Sequence, residues 1–309
     1  MTTRRDFLAA SALGVGGASL MGTAAPAAEP VPLNAEKIGA AAGVKATTAP
    51  DGVVRVAWPR TDVAVAVDGM PLKPFAGLGS WGAFTPAAHG AMVMGDTVVF
   101  QDEVGAAMDA AFANNLEVTA LHNHFFYDEP KVYFMHVGGM GEPEKLAAGV
   151  KAVWDAIKKV RADNPKPATR FAGDAPKAGT VTAEPIEKAL GQKSESQAGV
   201  VKVTIGREGV MHGVKVAGSM GLTTWAAFSG TDDLAAVDGD FIMTAAEVQP
   251  VLRALRKAGV HVVALHNHMV GEQPAFIFTH FWSKGKAEEL AKALKTALDA
   301  QKQAGAGKH

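Results

Sequence analysis

One pattern occurs twice in this sequence, in copies that lie 144 residues apart. The segment Ala120–His124 reads Ala-Leu-His-Asn-His, and Ala264–His268 repeats it. When Leu78–His136 is aligned without a gap to Leu222–His280, 20 of 59 positions are identical. Identity of this extent indicates an old internal duplication. We therefore expect two similarly folded units that keep the same histidines.

The composition excludes several functions. Of 309 residues, 48% are hydrophobic and 20% are charged, which is typical of a globular protein with one large or two modest cores. The formal net charge of -1 lacks the basic excess that nucleic acids or anionic membranes attract. Because the chain has no cysteine, disulfides, thiolate metal sites and a cysteine nucleophile are excluded. Any metal is expected to be held by nitrogen and oxygen.

The N-terminal segment has the pattern of an export signal. Arg4 and Arg5 form a twin-arginine pair, and a weakly apolar run of Ala, Gly and Leu follows over 9–20. Residues 1–28 are therefore predicted to be a twin-arginine signal peptide. The alternative, an N-terminal membrane anchor, is disfavoured because the run is glycine-rich and too short to span. With no later apolar span, we expect a periplasmic or secreted protein without an integral membrane segment.

Two repeat units and a linker follow. Unit 1 is predicted over 30–163 and unit 2 over 183–305, and the segment 164–182 is rich in Pro, Ala, Gly and Lys, as linkers are. Each unit shows the order strand, hairpin, helix, hairpin, helix. This order predicts an internally duplicated α+β fold, in which each unit is a mostly antiparallel sheet with helices on one face. The units are expected to pack about a pseudo-twofold axis.

The first hairpin of each unit is predicted from a Gly-Asp pair between two β-prone runs. Gly95-Asp96 and Gly239-Asp240 have the composition of two-residue turns, so both aspartates are interpreted as turn residues. The second hairpin of unit 1 is predicted to pair a strand at 118–124 with one at 132–137.

The shared histidines fall on these last strands. Because side chains alternate along a strand, His122 and His124 share a face, as do Phe134 and His136. If the register joins these faces, three imidazoles converge and leave positions open for water or substrate. The pattern predicts a divalent transition metal in each unit, with zinc, copper, nickel, iron and manganese all compatible. The predicted ligands are His122, His124, His136, His266, His268 and His280.

Other interpretations of the histidines stay open. They could form buried hydrogen bonds between the sheets, or bind an anionic or sugar ligand directly. Three pairs of carboxylates could complete a metal site, namely Asp96 and Asp240, Glu103 and Glu247, and Asp128 and Glu272.

Glu103 and Glu247 are the candidate general bases. Thr244 and Glu247 form a capping-box pattern at a predicted helix start, which explains Glu247 structurally. At the equivalent position of unit 1, Phe100 replaces the threonine while Glu103 is kept. The kept glutamate favours a role beyond capping.

Trp81 and Trp225 occupy equivalent positions in a second shared motif. Each is followed three residues later by a phenylalanine, among small residues. These tryptophans could line a ligand pocket or stack on a sugar ring, and the alternative is ordinary core packing.

The longer motifs resemble a known family. Leu-Gly-Ser-Trp-x-Ala-Phe, Thr-Ala-Leu-His-Asn-His, Phe-Met-His-Val-Gly-Gly and, in unit 2, Met-Gly-Leu-Thr-Thr-Trp-Ala-Ala-Phe are similar to the LppY/LpqO-like lipoprotein family. The resemblance covers essentially the whole mature chain. It implies an exported bacterial protein of a family without established activity. A lipid anchor is not carried over, because the chain has no cysteine to lipidate.

Two functions are compatible with these patterns. In the first, metal-assisted hydrolysis, the metal activates water or polarises a substrate group, and Glu103 or Glu247 is the general base. In the second, the protein is a non-enzymatic periplasmic binding protein for a small ligand or cell-wall fragment, with Trp81 and Trp225 lining the pocket.

Overall fold

A computed structural model describes residues 32–306. The twin-arginine signal peptide predicted over 1–28 lies outside these residues. Within 32–306, no helix combines the length and the apolarity needed to cross a membrane.

The two units contain the same elements in the same order. Unit 1 contains α1 (Ala35–Ala42), β1 (Thr47–Thr48), β2 (Val54–Pro59), β3 (Ala66–Val67), β4 (Met70–Pro71), β5 (Gly79–Ala87), β6 (Gly90–Phe100), α2 (Val104–Ala113), β7 (Glu117–His122), β8 (Asp128–Glu129), β9 (Val132–Gly141) and α3 (Pro143–Asp163). Unit 2 contains α4 (Ala183–Leu190), β10 (Ser194–Gln197), β11 (Val200–Gly206), β12 (Gly209–Met211), β13 (Val214–Val216), β14 (Thr223–Gly230), β15 (Ala235–Thr244), α5 (Ala245–Lys257), β16 (His261–His266), β17 (Glu272–Gln273), β18 (Phe276–Gly285) and α6 (Ala287–Ala306).

Twelve strands form one continuous sheet across both units, in the order β1-β2-β5-β6-β9-β7-β16-β18-β15-β14-β11-β10. The equivalent strands β7 and β16 meet at its centre as an antiparallel pair, with Leu121 opposite Leu265. Because an antiparallel pair of equivalent strands has a local twofold axis, the two units are related by the expected pseudo-twofold.

The helices cover one face of this sheet. Along β9, Met135 and Val137 are buried in an apolar cluster to which all six helices contribute. His136 lies between them in the sequence and therefore points to the other face, which we call the open face. The α+β class with mostly antiparallel strands is thus confirmed.

Two small three-stranded sheets accompany the large one, in the orders β4-β3-β8 and β13-β12-β17. Val65, which precedes β3, packs with Val98 and Phe134 in a separate apolar cluster. Phe134 shares the open face with His136. The small sheet β4-β3-β8 therefore covers only the part of the open face that lies beside the histidines.

The hairpin predicted at Gly95-Asp96 is wrong. β6 runs through both residues, and the chain reverses earlier, where Ala87 pairs with Gly90. The glycine serves strand packing, because a Cβ at Gly95 would lie 2.9 Å from the carbonyl oxygen of Trp81. The hairpin predicted at Gly239-Asp240 in unit 2 is wrong as well, because β15 continues through both residues.

Candidate metal centres

Three histidines converge on the open face of each unit. The ligating nitrogens of His122, His124 and His136 lie within 4.8 Å of one another. The ring centroid of His122 is 5.1 Å from those of His124 and of His136. In unit 2 the equivalent histidines, His266, His268 and His280, form the same cluster. Each cluster could hold a metal ion.

Strand register produces this convergence. In the pairing of β7 with β9, His122 is opposite Phe134 and Ala120 is opposite His136. His122 and His136 are therefore diagonal neighbours, which long side chains can bridge over about 7 to 8 Å. His124 follows the end of β7 and stacks on Phe134, with ring centroids 3.3 Å apart. The stacked phenylalanine holds the third imidazole beside the other two.

Backbone carbonyls orient several of the rings. Nδ1 of His122 lies 3.3 Å from the carbonyl oxygen of Asn123, and Nδ1 of His266 lies 3.1 Å from that of Asn267. Nδ1 of His280 lies 3.3 Å from the Gly239 carbonyl oxygen. Because a carbonyl only accepts, Nδ1 is the donor in each of these contacts, and in the neutral ring Nε2 then carries the lone pair. This is how metal-binding histidines are usually oriented.

Burial favours the neutral form of the stacked histidines. It lowers the pKa of His124 below its usual value, and the neighbouring His122 and His136 also lower that pKa whereas Asp96 raises it. The pKa of His268 is lowered in the same way, by burial and then by His266 and His280. A metal ligand must be the neutral imidazole, so these environments suit metal binding.

One aspartate faces each cluster. Oδ1 of Asp96 lies 3.8 Å from Nε2 of His136, and Oδ2 of Asp240 lies 3.6 Å from Nε2 of His268. Both carboxylates are largely buried, and in each the Oδ1 atom is buried without a hydrogen-bond partner. Burial raises the pKa of both aspartates, while the nearby histidines lower it. A buried carboxylate oxygen without a partner, next to three imidazoles, is suited to be a fourth ligand.

The sequence contained a signal for this role that the turn interpretation missed. Met92, Met94 and Asp96 alternate along β6 with buried residues of the helix-covered face. A strand continued through the Gly-Asp pair would have placed Asp96 on the open face.

The predicted tryptophans lie beside these aspartates. Trp81 on β5 is directly opposite Asp96, which in turn is opposite His136 on β9. The guanidinium of Arg55 stacks on the Trp81 ring at 4.6 Å. Trp225 has the equivalent position opposite Asp240, with the Lys202 ammonium 4.5 Å from its ring. Both tryptophans thus line the open face next to the histidine clusters.

The two candidate general bases lie elsewhere. Glu103 is fully buried, and its carboxylate accepts two hydrogen bonds from Arg60, at 2.8 and 2.9 Å, and one from the Phe100 amide. Nε of Arg161 is a further 2.7 Å neighbour. These cations and the lack of solvent access leave Glu103 no route to a substrate.

Glu247 is held in a similar way. Its carboxylate accepts hydrogen bonds from both terminal guanidinium nitrogens of Arg207, at 2.5 and 3.0 Å, and from the Thr244 amide. The predicted capping box with Thr244 is confirmed. The positions of both glutamates support a structural role and do not support that of a general base.

The remaining predicted polar residues stabilise the turns after the histidines. Asp128 accepts a hydrogen bond from the Val132 amide at 2.6 Å, and Glu272 accepts one from the Phe276 amide at 2.9 Å. The side-chain amide of Asn123 donates to the Phe125 carbonyl oxygen, so this asparagine also secures the backbone of the turn. These carboxylates are therefore turn caps and not members of the clusters.

The two clusters are close to each other. Since Leu121 pairs with Leu265 in an antiparallel register, His122 and His266 are diagonal neighbours on the same face. With strands about 4.8 Å apart and a rise of about 3.4 Å per residue, the centres of the clusters are on the order of 10 Å apart.

Comparison with solved structures returned microcompartment proteins with little similarity. The trimeric bacterial microcompartment shell protein PduB is 10% identical, with 85% of this chain and 93% of that chain covered and a TM-score of 0.21. Ethanolamine utilization protein EutL from Leptotrichia buccalis C-1013-b is 12% identical, with 70% of this chain and 82% of that chain covered and a TM-score of 0.19. EtuB from Clostridium kluyveri is 11% identical, with 83% of this chain and 90% of that chain covered and a TM-score of 0.20. Scores this low carry no argument about fold or function.

No curated protein matches the chain. One protein-domain family does match it, over residues 36–156 and again over 184–300. These two matches coincide with the two units and cover most of the chain. The chain therefore belongs to the family described as Domain of Unknown Function (DUF1259), and it carries two tandem copies of that domain.

Proposed function

We propose that each unit binds one divalent transition metal ion through three histidines and one aspartate. The supporting observation is the convergence of three imidazoles in each unit, beside an aspartate whose Oδ1 atom is buried without a hydrogen-bond partner. Two ligand atoms at about 2.1 Å from one metal are at most about 4.2 Å apart. The nitrogens of each cluster, within 4.8 Å of one another, therefore need only small side-chain rotations to bind an ion.

The proposed reaction class is metal-assisted hydrolysis. An ion in such a centre would supply an activated water or polarise a substrate group. His124 and His268 are desolvated on the ring face that stacks on phenylalanine but keep exposed surface elsewhere, so a substrate can reach each centre from solvent. With Glu103 and Glu247 tied to arginines, the carboxylate beside each centre is Asp96 in unit 1 and Asp240 in unit 2.

Elemental analysis tests the metal centres. We expect the mature protein, purified without a histidine tag, to contain close to two equivalents of one transition metal. A variant with His122, His124 and His136 changed to alanine should retain about one equivalent with its circular dichroism unchanged, because unit 2 is intact. The matched control is His89→Ala, an exposed histidine outside both clusters, which should keep both equivalents.

Two results would contradict the proposal. One is an absence of metal in the purified protein together with no uptake on dialysis against zinc, copper, nickel, iron or manganese. The other is an equal metal content in the triple alanine variant and in the parent.

Ligand binding without turnover is the second candidate function. It is favoured by Trp81 and Trp225, whose rings lie on the open face directly beside the aspartates. A small ligand or cell-wall fragment could stack on such a ring while it contacts the centre. Trp81→Leu and Trp225→Leu would then weaken ligand binding and leave the metal content unchanged, whereas loss of metal would assign the tryptophans to the fold.

Export is the proposed route to the periplasm or the outside of the cell. It is supported by the twin-arginine pattern at Arg4 and Arg5. Changing both residues to lysine should hold the protein in the cytoplasm with residues 1–28 uncleaved. Normal cleavage and a periplasmic location of that variant would contradict this route.

A further inference from the structure

Three methionines are exposed together on the open face of unit 1. Met92, Met94 and Met140 expose 36%, 59% and 65% of their surface. Met92 on β6 is directly opposite Met140 on β9, and Met94 is the next residue of β6 on the same face. We call these three residues the methionine cluster.

The register lets the three sulfur atoms meet. Directly opposite residues of an antiparallel pair have Cβ atoms about 4.5 to 5.5 Å apart, and alternate residues of a strand are about 7 Å apart. The unbranched methionine side chain has three rotatable bonds and adapts to such gaps. Gly138 lies opposite Met94 and has no side chain, so it leaves room for the thioethers between β6 and β9.

In unit 2 the equivalent part of the open face is covered by linker residues and by a larger side chain. Trp282 stands where unit 1 has Gly138, and the ring of Phe171 in the linker packs at a tilt against the neighbouring His261, with centroids 4.4 Å apart. Nζ of Lys284, the counterpart of Met140, donates to the carbonyl oxygens of Gly173 and Asp174 in the linker. The equivalents of Met92 and Met94 are Ala236 and Asp238. The cluster is therefore specific to unit 1 and stays exposed there.

We propose that Met92, Met94 and Met140 form a binding site for Cu(I). Thioether sulfur is a soft ligand, and soft ligands select Cu(I) over hard and borderline divalent ions. Three neutral thioethers need no deprotonation to bind. A thioether site also revises the expectation that any metal in this cysteine-free chain is held by nitrogen and oxygen.

The site is separate from the histidine centres but close to them. Met94 and Asp96 are alternate residues of β6 on the same face, about 7 Å apart. The Cu(I) site does not require that the histidines hold a metal, because its three ligands are all outside those clusters.

Methyl NMR with Ag(I), a redox-inert probe for Cu(I), tests the site directly. In protein labelled with 13C at the methionine methyl groups, we expect three resonances to shift together and to saturate at one equivalent of Ag(I). The single substitutions Met92→Leu, Met94→Leu and Met140→Leu should each remove one of these three resonances, which assigns them. Leucine has a similar volume, and the positions are exposed, so the fold should persist.

A competition experiment with Cu(I) provides the affinity. With ascorbate present and a chromophoric Cu(I) chelator as competitor, the triple leucine variant should bind one equivalent fewer, or bind it at least tenfold more weakly, than the parent. The matched control changes Met70 and Met220, which are 63% and 69% exposed and lie outside the cluster, to leucine. This control should behave as the parent does.

The outcomes separate this site from the histidine centres. Resonances that do not move at one equivalent of Ag(I), or equal shifts at Met70 and Met220, would overturn the methionine site. So would an unchanged Cu(I) affinity in the triple leucine variant. The divalent metal content, measured on the same samples, reports on the histidine centres independently, and the leucine substitutions should leave it unchanged.

Discussion

Leu121 and Leu265 face each other across the two central strands, and they are the residues about which the histidine clusters are related. Their side chains lie on the helix-covered face and belong to the common core. The residues that follow them in sequence, His122 and His266, therefore lie on the open face. The duplication thus creates a pair of neighbouring centres within one sheet.

The distance between the centres is the first prediction. If both are loaded with Cu(II), the two ions should lie on the order of 10 Å apart, because only the width of the central strands separates them. Electron paramagnetic resonance should then show dipolar coupling between the ions. Changing His266, His268 and His280 to alanine should leave one uncoupled Cu(II). A coupling that corresponds to more than about 20 Å would contradict the register described for β7 and β16.

The second prediction concerns the aspartate of each centre. Asp240→Asn should weaken metal binding in unit 2 by about tenfold to a hundredfold, because a neutral amide replaces a charged ligand or orienting group. Isothermal titration with unit 1 disabled by alanine at its three histidines measures this affinity. Asp238→Asn, two residues earlier on the same strand, is the control and should change the affinity much less. Equal effects of both substitutions would indicate a general charge effect instead.

The third prediction separates stability from metal binding at Glu103. Glu103→Gln should lower the free energy of unfolding by about 3 to 5 kcal/mol, because it leaves Arg60 and Arg161 buried without their shared carboxylate. Urea denaturation measures the loss, and the exposed Glu142→Gln, expected to cost less than about 0.5 kcal/mol, is the control. The metal content of the folded variant should be unchanged. A folded variant of full stability that has lost hydrolytic activity would restore the general-base role.

The fourth prediction is a dependence of stability on pH. Burial alone would raise the pKa of Glu247. The hydrogen bonds and the charge of Arg207 lower this pKa by more than burial raises it, so the folded-state pKa lies below the ordinary value of 4.5. The ionised carboxylate therefore stabilises the fold at pH values above about 4.5, and this contribution is lost as the pH falls through the folded-state pKa.

Glu247→Gln should accordingly flatten the acid side of the stability profile. The free energy of unfolding of the parent should fall more steeply than that of the variant between about pH 5 and pH 3. Glu195→Gln, at an exposed position, should follow the parent. Parallel profiles for parent and Glu247→Gln would show that Arg207 does not lower this pKa.

Much of the candidate site could be predicted from local pattern. The repeat identified the histidines, and the period of two placed His122 and His124 on one face. Their convergence with His136 then required only that two strands joined by a short turn pair as a hairpin, which is a local event.

The aspartates and glutamates could not be placed in this way. Gly95-Asp96 has turn composition, yet it lies within a strand, because Gly95 is required where neighbouring strands approach closely. The partners of Glu103, Arg60 and Arg161, are distant in sequence, and no local pattern links them. In both cases long-range packing overrides local preference.

The sequence by itself therefore determined that the protein is duplicated, that it is built of strands and helices, and which imidazoles share a strand face. These properties follow from periodicity and from identity between the two halves. Only the tertiary structure decided that twelve strands form one sheet, that Asp96 and Asp240 lie beside the histidines, and that the linker covers part of unit 2 while Met92, Met94 and Met140 stay exposed. The physical reason is that strand order, register across the repeat boundary and burial depend on contacts between residues far apart in the chain.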